Sequence, residues 1–414
     1  MSKYIKEKIT NKTRNILWIT GILEIGLYLF ASFPGTRLFG SIPIKPLCMY
    51  LLLFQSIVVF ALAIKNGIYA TTHFIWYGMF AIISMLSLTL SGGSIANGGL
   101  YAILICFALT TVQAFYISNE KAFRIVFWSY IIACMVNSAF LLVSGSLTLR
   151  EGERLGYAIN VNPNLLATYL MYGILYSIWL FCFEKQKRIK WLLVLIACFI
   201  MYPLMLTGGR KFFLSPIIFF SIVYIIKNRN QEGHGWIKGL LFITVLFIVI
   251  WQLIMNTPAL YNSLGYRVEG LINAITGSGK VDSSTQERDE MRKLAIESWL
   301  YSPIWGQGFD NFKYISRQKG MAFAYSHCNY TELLCNGGLI SFIVYYWFYG
   351  MILWKSITDK RIDIKFRALG IAGIITQMVF DYGGVMYNGY DTQLFILLIF
   401  CSMKGFNNSS LISW

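Results

Sequence analysis

The residues SSTQERDEMRKLAIESWLYSPIWGQGFDNF (Ser283–Phe312), followed by AYSHCNYTELLCNGGLISFIVYY (Ala324–Tyr346), decide how this chain is read. They run from an arginine-bearing amphipathic segment through a Pro/Gly-rich turn to His327, which stands at the threshold of a long apolar helix. Ser284 and Glu287 have the Ser-x-x-Glu spacing of a capping box, so a helix of about four turns is expected, closing before Pro303. Its apolar positions Met291, Leu294, Ala295 and the pair Ser298–Trp299 recur at helical spacing and would lie against a bundle or an interface. Arg288 and Arg292 fall one turn apart and can point the same way, while a solvated face is the preferred reading for Arg292 and Lys293. The stretch SPIWGQGFDNF reads as a turn that brings the chain back.

Such a polar island needs an explanation because the rest of the chain is so apolar. Of 414 residues, 57% are hydrophobic and 13% charged, where a soluble domain carries about a quarter charged. Mean hydropathy is +0.58. Apolar runs of span length recur from end to end, which makes an all-α polytopic membrane protein of about twelve transmembrane helices the expected fold. The expected spans are 15–33, 47–64, 73–90, 99–117, 123–143, 163–183, 191–207, 212–226, 239–256, 330–353, 367–381 and 391–403. No composition shift or repeat divides them, so 1–414 is expected to form a single membrane domain, with 257–329 a large external loop containing short helices. The basic N-terminal stretch MSKYIKEKITNKTR leads into an apolar run without a small-residue cleavage site, and reads as the approach to a first span.

Basic residues set the orientation. With the N-terminus cytoplasmic and each span switching sides, most of the 35 Lys and Arg fall in cytoplasmic segments, as the positive-inside rule requires of an even number of spans with both ends cytoplasmic. The net charge of +16 is then mainly a topology signal, and nucleic-acid binding has no further support. The eight Cys lack metal-ligand spacing and are expected to pack mostly as small hydrophobes, with no disulfide framework and no metal site.

External basic residues need another reason. Arg150 and Arg154 lie in LTLREGERLGYAINVNPN, and Arg210 and Lys211 in LTGGRKFF, a tight connection whose Gly208–Gly209 pair could bring backbone N–H groups near an anion. Snorkelling to headgroups is preferred for Lys211, Arg37 and Lys45, and function for Arg210. His327 is a candidate for proton transfer near neutral pH. Glu332, five residues on, is either a second base candidate or a residue that merely begins the span. Several guanidiniums and a His on the external side suit a lipid diphosphate donor, because an Arg fork donates two hydrogen bonds to phosphate oxygens and keeps its charge in a poor dielectric. Pre-placed arginines would stabilise a diphosphate leaving group in the transition state, with no cofactor and no metal.

At these residues the chain resembles the O-antigen ligase/polymerase superfamily, particularly the Wzy-type polymerases of surface polysaccharides. The similar elements are NPNLLATYL (Asn162–Leu170), LTGGR (Leu206–Arg210), Arg288–Phe312 and HCNYTELLCNGGLISF (His327–Phe342), in the family's order. Cys328 stands where the family usually has Asn, while Asn329 and Gly338 look in register. The resemblance implies a GT-C-like bacterial plasma-membrane glycosyltransferase with an extracytoplasmic active site. It would transfer a growing glycan from undecaprenyl diphosphate to another lipid-linked repeat unit. It implies that Arg210 and Arg288 hold the diphosphate and that His327 sits at the catalytic centre, with Arg154, Asn164, Arg267, Asn329 and Glu332 as candidate substrate contacts. A chain-length regulator and a flippase of the same pathway are implied partners, beside the lipid bilayer. The alternatives are a ligase moving the glycan to lipid A core or another acceptor, and, further off, a lipid-linked oligosaccharide transporter.

Overall fold

The computed structural model describes residues 71–92, 98–117, 120–143, 153–158, 161–229, 235–276 and 283–403, with positions 37–38, 42–43, 54, 57 and 61 besides. The expected spans 15–33 and 47–64, the residues Lys45 and Arg150, and both termini lie outside these apart from positions 54, 57 and 61. Arg37 falls in β1 (Arg37–Leu38), which pairs antiparallel with β2 (Ile42–Pro43).

Everything else regular among the described residues is helical, as backbone groups in lipid must pair within their own segment. The helices begin with α1 (Thr72–Leu90), α2 (Gly98–Tyr116), α3 (Glu120–Val143) and the single turn α4 (Leu155–Ala158). Then come α5 (Pro163–Phe183), α6 (Lys187–Leu206), α7 (Arg210–Asn228) and α8 (Gly235–Asn256). After α12 (Asn329–Thr358) follow α13 (Ile364–Tyr382) and α14 (Tyr390–Met403). Six of them, α1, α3, α5, α6, α7 and α12, are long and apolar enough to cross a bilayer, and α2, α8 and α14 contain shorter apolar stretches. The chain is therefore a multi-pass membrane protein. The ten expected spans that fall on described residues each coincide with one helix.

The sequence explains where these helices start. Thr71 caps α1 by accepting from the Phe74 N–H at 3.1 Å. Asn162 caps α5 by accepting from the Asn164 N–H at 2.9 Å, and Pro163, which has no N–H to leave orphaned, takes the first helical position. α5 is the central helix: it packs on α3, α6 and α7, and 83% of its most apolar window is buried. α7 and α12 both pack on α13, and α1 packs on α12.

The two ends of this bundle differ. At one end Arg124 pairs with Glu184 at 2.6 Å, Lys365 pairs with Glu120 at 2.7 Å, and Lys227 donates to the Cys182 carbonyl. At the other lie the start of α5, the α6–α7 connection, the start of α12 and the end of α13.

The 257–329 segment is far from a plain loop. It holds a short turn (Pro258–Leu260), a π-helical turn (Tyr261–Gly265), α9 (Tyr266–Thr276), α10 (Ser283–Leu300) and α11 (Phe312–Gln318). α10 is the expected amphipathic helix, with 18 residues against about four expected turns, and it does end before Pro303. Because it begins at Ser283, Ser284 lies within its first turn and the expected cap position is off. Met291, Leu294, Ala295 and Ser298 are buried, with Phe312 and Cys335 in the same cluster as the first three.

α12 is broken at Gly338, where φ is 67° and ψ is −172°. The break frees backbone groups, and the SPIWGQG turn satisfies them. Leu339 N–H donates to the Pro303 carbonyl at 2.9 Å, Gln307 N–H to Cys335 O at 2.7 Å and Gly308 N–H to Asn336 O at 3.0 Å. Ser87 of α1 adds a hydroxyl bond to Asn336 O at 2.7 Å. A side chain at 338 would run into the Ile304 carbonyl, so the left-handed backbone and the close approach both require glycine. The turn thus clamps the helix just past His327. Among the cysteines expected to be packed, Cys198 is instead exposed on its helix, and the other described ones are buried and free.

Candidate active site

Five basic side chains from four segments converge on one cleft of about 140 Å³: Arg154, Arg210 with Lys211, Arg267 and Arg288. Gly208, Gly209 and Gly383 form part of its wall, and among the described residues none that lines it bears a carboxylate.

Arg154 is 5% exposed and held rigidly. Its Nε donates to the Thr207 carbonyl at 2.6 Å, and its Nη2 to Asn164 Oδ1 at 2.7 Å. It thereby ties the end of α6 to the first turn of α5. Burial, and then the neighbouring charges of Arg267 and Arg288, pull its pKa down to about 10, so it stays a cation at neutral pH. Asn164 is a cleft residue that positions Arg154.

The Gly208–Gly209 pair makes the connection that sequence spacing suggested. Gly208 has φ 67°, and a Cβ there would lie 2.5 Å from the Ser263 carbonyl. Gly209 then caps α7 with no side-chain hydrogen bond, so this helix start presents N–H groups at the cleft wall. Arg210, the first residue of α7, donates to the Arg267 carbonyl at 3.0 Å and to Thr285 Oγ1 at 3.0 Å, linking α7, α9 and α10. The Arg267 side chain lines the same cleft, and its buried Nε has no hydrogen-bond partner among the described residues.

Lys211 corrects the expectation of a headgroup anchor. It lines the cleft, and its ammonium lies 4.1 Å from the ring centroid of Phe380 and 4.8 Å from that of Phe212. The stem runs against Gly383 and Gly384, where side chains would collide with it. Arg292 is also more than a solvated residue. Its Cζ sits 4.5 Å over the Tyr382 ring, and its Nη2 donates to the Tyr382 carbonyl at 3.3 Å. Lys293 is exposed, as expected.

His327 adopts a left-handed backbone with φ 59°, uncommon for a side chain other than glycine. It lies one residue before the Cys328 cap of α12. Its ring is partly buried and makes no hydrogen bond within the described residues. Burial, then Arg288, Lys211 and Arg292, push its pKa down to about 4. The imidazole is accordingly neutral at physiological pH, with a ring nitrogen free to accept a proton.

Asn329 and Glu332 do not line the cleft. Asn329 is fully buried, accepts from the Met386 and Tyr387 N–H groups at 2.8 and 3.0 Å, and donates to Tyr346 Oη at 2.9 Å. Glu332 is also fully buried, accepting from Ser326 N–H at 2.7 Å and Asn336 Nδ2 at 2.9 Å. Both carry structural hydrogen bonds that fix the chain on either side of His327.

Sequence reading missed Asp381. It is fully buried at the end of α13, where it accepts from Gln377 Nε2 at 2.7 Å and Tyr346 Oη at 3.0 Å. Its only sequence signal was a lone acid at the end of an apolar run. Among the described residues, no three His, Cys, Asp or Glu come together as a metal site.

Residues 196–346 match the Wzy_C family model, described as O-antigen ligase. No match is found among curated proteins. The matched segment includes Arg210, Lys211, Arg267, Arg288 and His327, while Arg154 and Asn164 reach the same cleft from before it and Gly383 from beyond it. Residues 196–346 of this multi-pass membrane protein are thus similar to the O-antigen ligase family.

Proposed function

We propose that this protein polymerises undecaprenyl-diphosphate-linked oligosaccharide repeat units into O-antigen or capsular polysaccharide on the outer face of the bacterial plasma membrane. The observation that carries this reading is the convergence of four guanidiniums and Lys211, with no carboxylate lining the cleft among the described residues, beside a neutral His. Like charges gathered at a half-buried site repel one another, and a polyanionic ligand offsets that repulsion. A lipid diphosphate brings such an anion to the membrane surface, and guanidinium forks match its oxygens.

The chemistry then follows. A hydroxyl of the acceptor glycan attacks the anomeric carbon of the donor sugar. The C–O bond to the diphosphate breaks, and its electron pair leaves with undecaprenyl diphosphate. His327 accepts the hydroxyl proton and returns it to water. Arg154, Arg210, Arg267, Arg288 and Lys211, with the start of α7, face the charge that grows on the leaving group. Guanidiniums in this role make the reaction independent of a divalent metal.

Orientation rests on the two ends of the bundle. The end bearing Arg124, Lys227 and Lys365 is opposite the cleft, and the positive-inside rule assigns it to the cytoplasm. A chain-length regulator and a flippase of the same pathway are the partners such a role requires. The description of the matched family favours a second reading, a ligase passing the same donor to lipid A core or another acceptor. The two differ only in acceptor. No finding supports a transporter.

The test is binding of undecaprenyl diphosphate to the purified full-length protein, compared with Arg210→Ala and Arg288→Ala. Each lost guanidinium should weaken binding by about 10-fold or more, from the usual worth of a charged hydrogen bond. Unchanged affinity in both well-folded variants would remove the diphosphate from this cleft.

A further inference from the structure

Beyond the cationic cleft, the same rim carries a second arrangement of a different chemical kind. Arg292 follows Arg288 by one turn of α10, and Tyr382 immediately precedes the cleft residue Gly383. The guanidinium covers one face of the Tyr382 ring at 4.5 Å. Asp289 Oδ1 accepts from Arg292 Nη1 at 3.0 Å, and Tyr382 Oη lies 3.4 Å from the same nitrogen. These contacts fix the ring, yet Tyr382 remains 59% exposed, which leaves its other face open. The Asp289 side chain is 57% exposed, with lone pairs to spare.

We propose that Tyr382, Arg292 and Asp289 form the acceptor-glycan subsite, taking a pyranose ring of the acceptor beside His327. This rests on the donor reading above and extends it. A pyranose offers an apolar face of C–H groups and an equatorial fringe of hydroxyls. A fixed aromatic face accommodates the first, and an adjacent carboxylate and guanidinium serve the second as acceptor and donor.

Contacts between α12 and α13 assign this subsite to the acceptor. Asn329 Nδ2 lies 3.5 Å from Asp381 Oδ2, and Tyr330 Oη donates to the Met378 carbonyl at 2.7 Å. The end of α13 that carries Tyr382 therefore lies against the start of α12, next to His327, whereas Arg154 ties the cleft to α5 and α6. In a displacement the anomeric carbon stands between the leaving diphosphate and the attacking hydroxyl, and the base lies against that hydroxyl on the side away from the diphosphate. With the diphosphate on the Arg154 side, the hydroxyl and its sugar ring arrive from the Tyr382 side.

The experiment uses full-length protein in nanodiscs and two probes. One is undecaprenyl diphosphate; the other is the phosphate-free oligosaccharide released by mild acid from lipid-linked intermediates of cells lacking this chain. Tyr382→Ala should weaken oligosaccharide binding about tenfold, the usual worth of one aromatic contact. Tyr382→Phe should restore it to within about twofold, because the ring is kept. Affinity for undecaprenyl diphosphate should be unchanged in both. The proposal is overturned if Tyr382→Ala binds the oligosaccharide like the wild type, or loses both probes equally. A wild type that binds undecaprenyl diphosphate but no oligosaccharide removes the acceptor subsite alone, and one that binds neither removes the donor reading with it.

Discussion

Replacing Arg154 by Met separates a ligand-holding cation from a structural staple. The substitution keeps much of the length and removes the charge. It leaves the Thr207 carbonyl and Asn164 Oδ1 without their donor, at about 1–3 kcal/mol for a buried group and less for the partly exposed Asn164. Against this stands a penalty that the wild type carries. A pKa drawn from 12.5 to about 10 by burial and by Arg267 and Arg288 means that the folded state holds this cation at a cost of about 3 kcal/mol. The two effects nearly cancel, so the unliganded variant should melt within about 4 °C of the wild type. Ligand binding should respond quite differently, because a charged hydrogen bond to phosphate contributes about 1.5–3 kcal/mol, or roughly 10- to 150-fold in affinity. The assay is thermal unfolding with and without undecaprenyl diphosphate. The wild type should gain stability from the lipid, and Arg154→Met should lose most of that gain. A large drop in the unliganded melting point with the lipid-induced gain intact would refute the reasoning and make Arg154 a staple only.

Three further outcomes are expected. Because His327 titrates at about 4 and must be neutral to act as a base, activity should hold from about pH 8 to 5 and fall below that. Arg292→Gln removes a cation that disfavours the imidazolium, so the acid limb should move to higher pH; a wild-type limb near the ordinary imidazole value would contradict this. Gly338→Ala should cost about 2–5 kcal/mol, from the left-handed backbone and from pushing the Ile304 carbonyl aside, seen as a lower melting point with reduced transfer. Asn329→Ala orphans the partly buried Met386 N–H and the buried Tyr387 N–H and should lose about 2–5 kcal/mol of stability, while folded protein retains affinity for undecaprenyl diphosphate.

Apolar run length located the helices because lipid leaves a span no alternative to pairing its own backbone. Arg210 and Arg288 were legible for a related reason: a cation without a topological role stands out in an apolar chain. What escaped depends on contacts between distant segments. Lys211 looked like any basic residue at a helix end until α13 brought Phe380 and two glycines around it. Tyr382 and Arg292 are 90 residues apart, and neither suggests the other. Asn329 and Glu332 read as polar residues near His327, yet their partners lie behind the cleft, where burial demands that each polar group be paired. The clamp of SPIWGQG on the broken α12 was visible as two turn signals, but their union needed the φ of Gly338.

The central claim is glycosyl transfer from a lipid diphosphate held by these arginines, with His327 as base. Lipid-linked repeat units isolated from cells lacking this chain, incubated with purified full-length protein in the presence of a chelator and resolved by size, test it most directly. A ladder of lengthened glycans from the wild type, absent in Arg288→Ala and in His327→Ala, is the expected result. A ladder that persists in His327→Ala, or wild-type protein that leaves both the repeat units and supplied lipid A core unmodified, would contradict it.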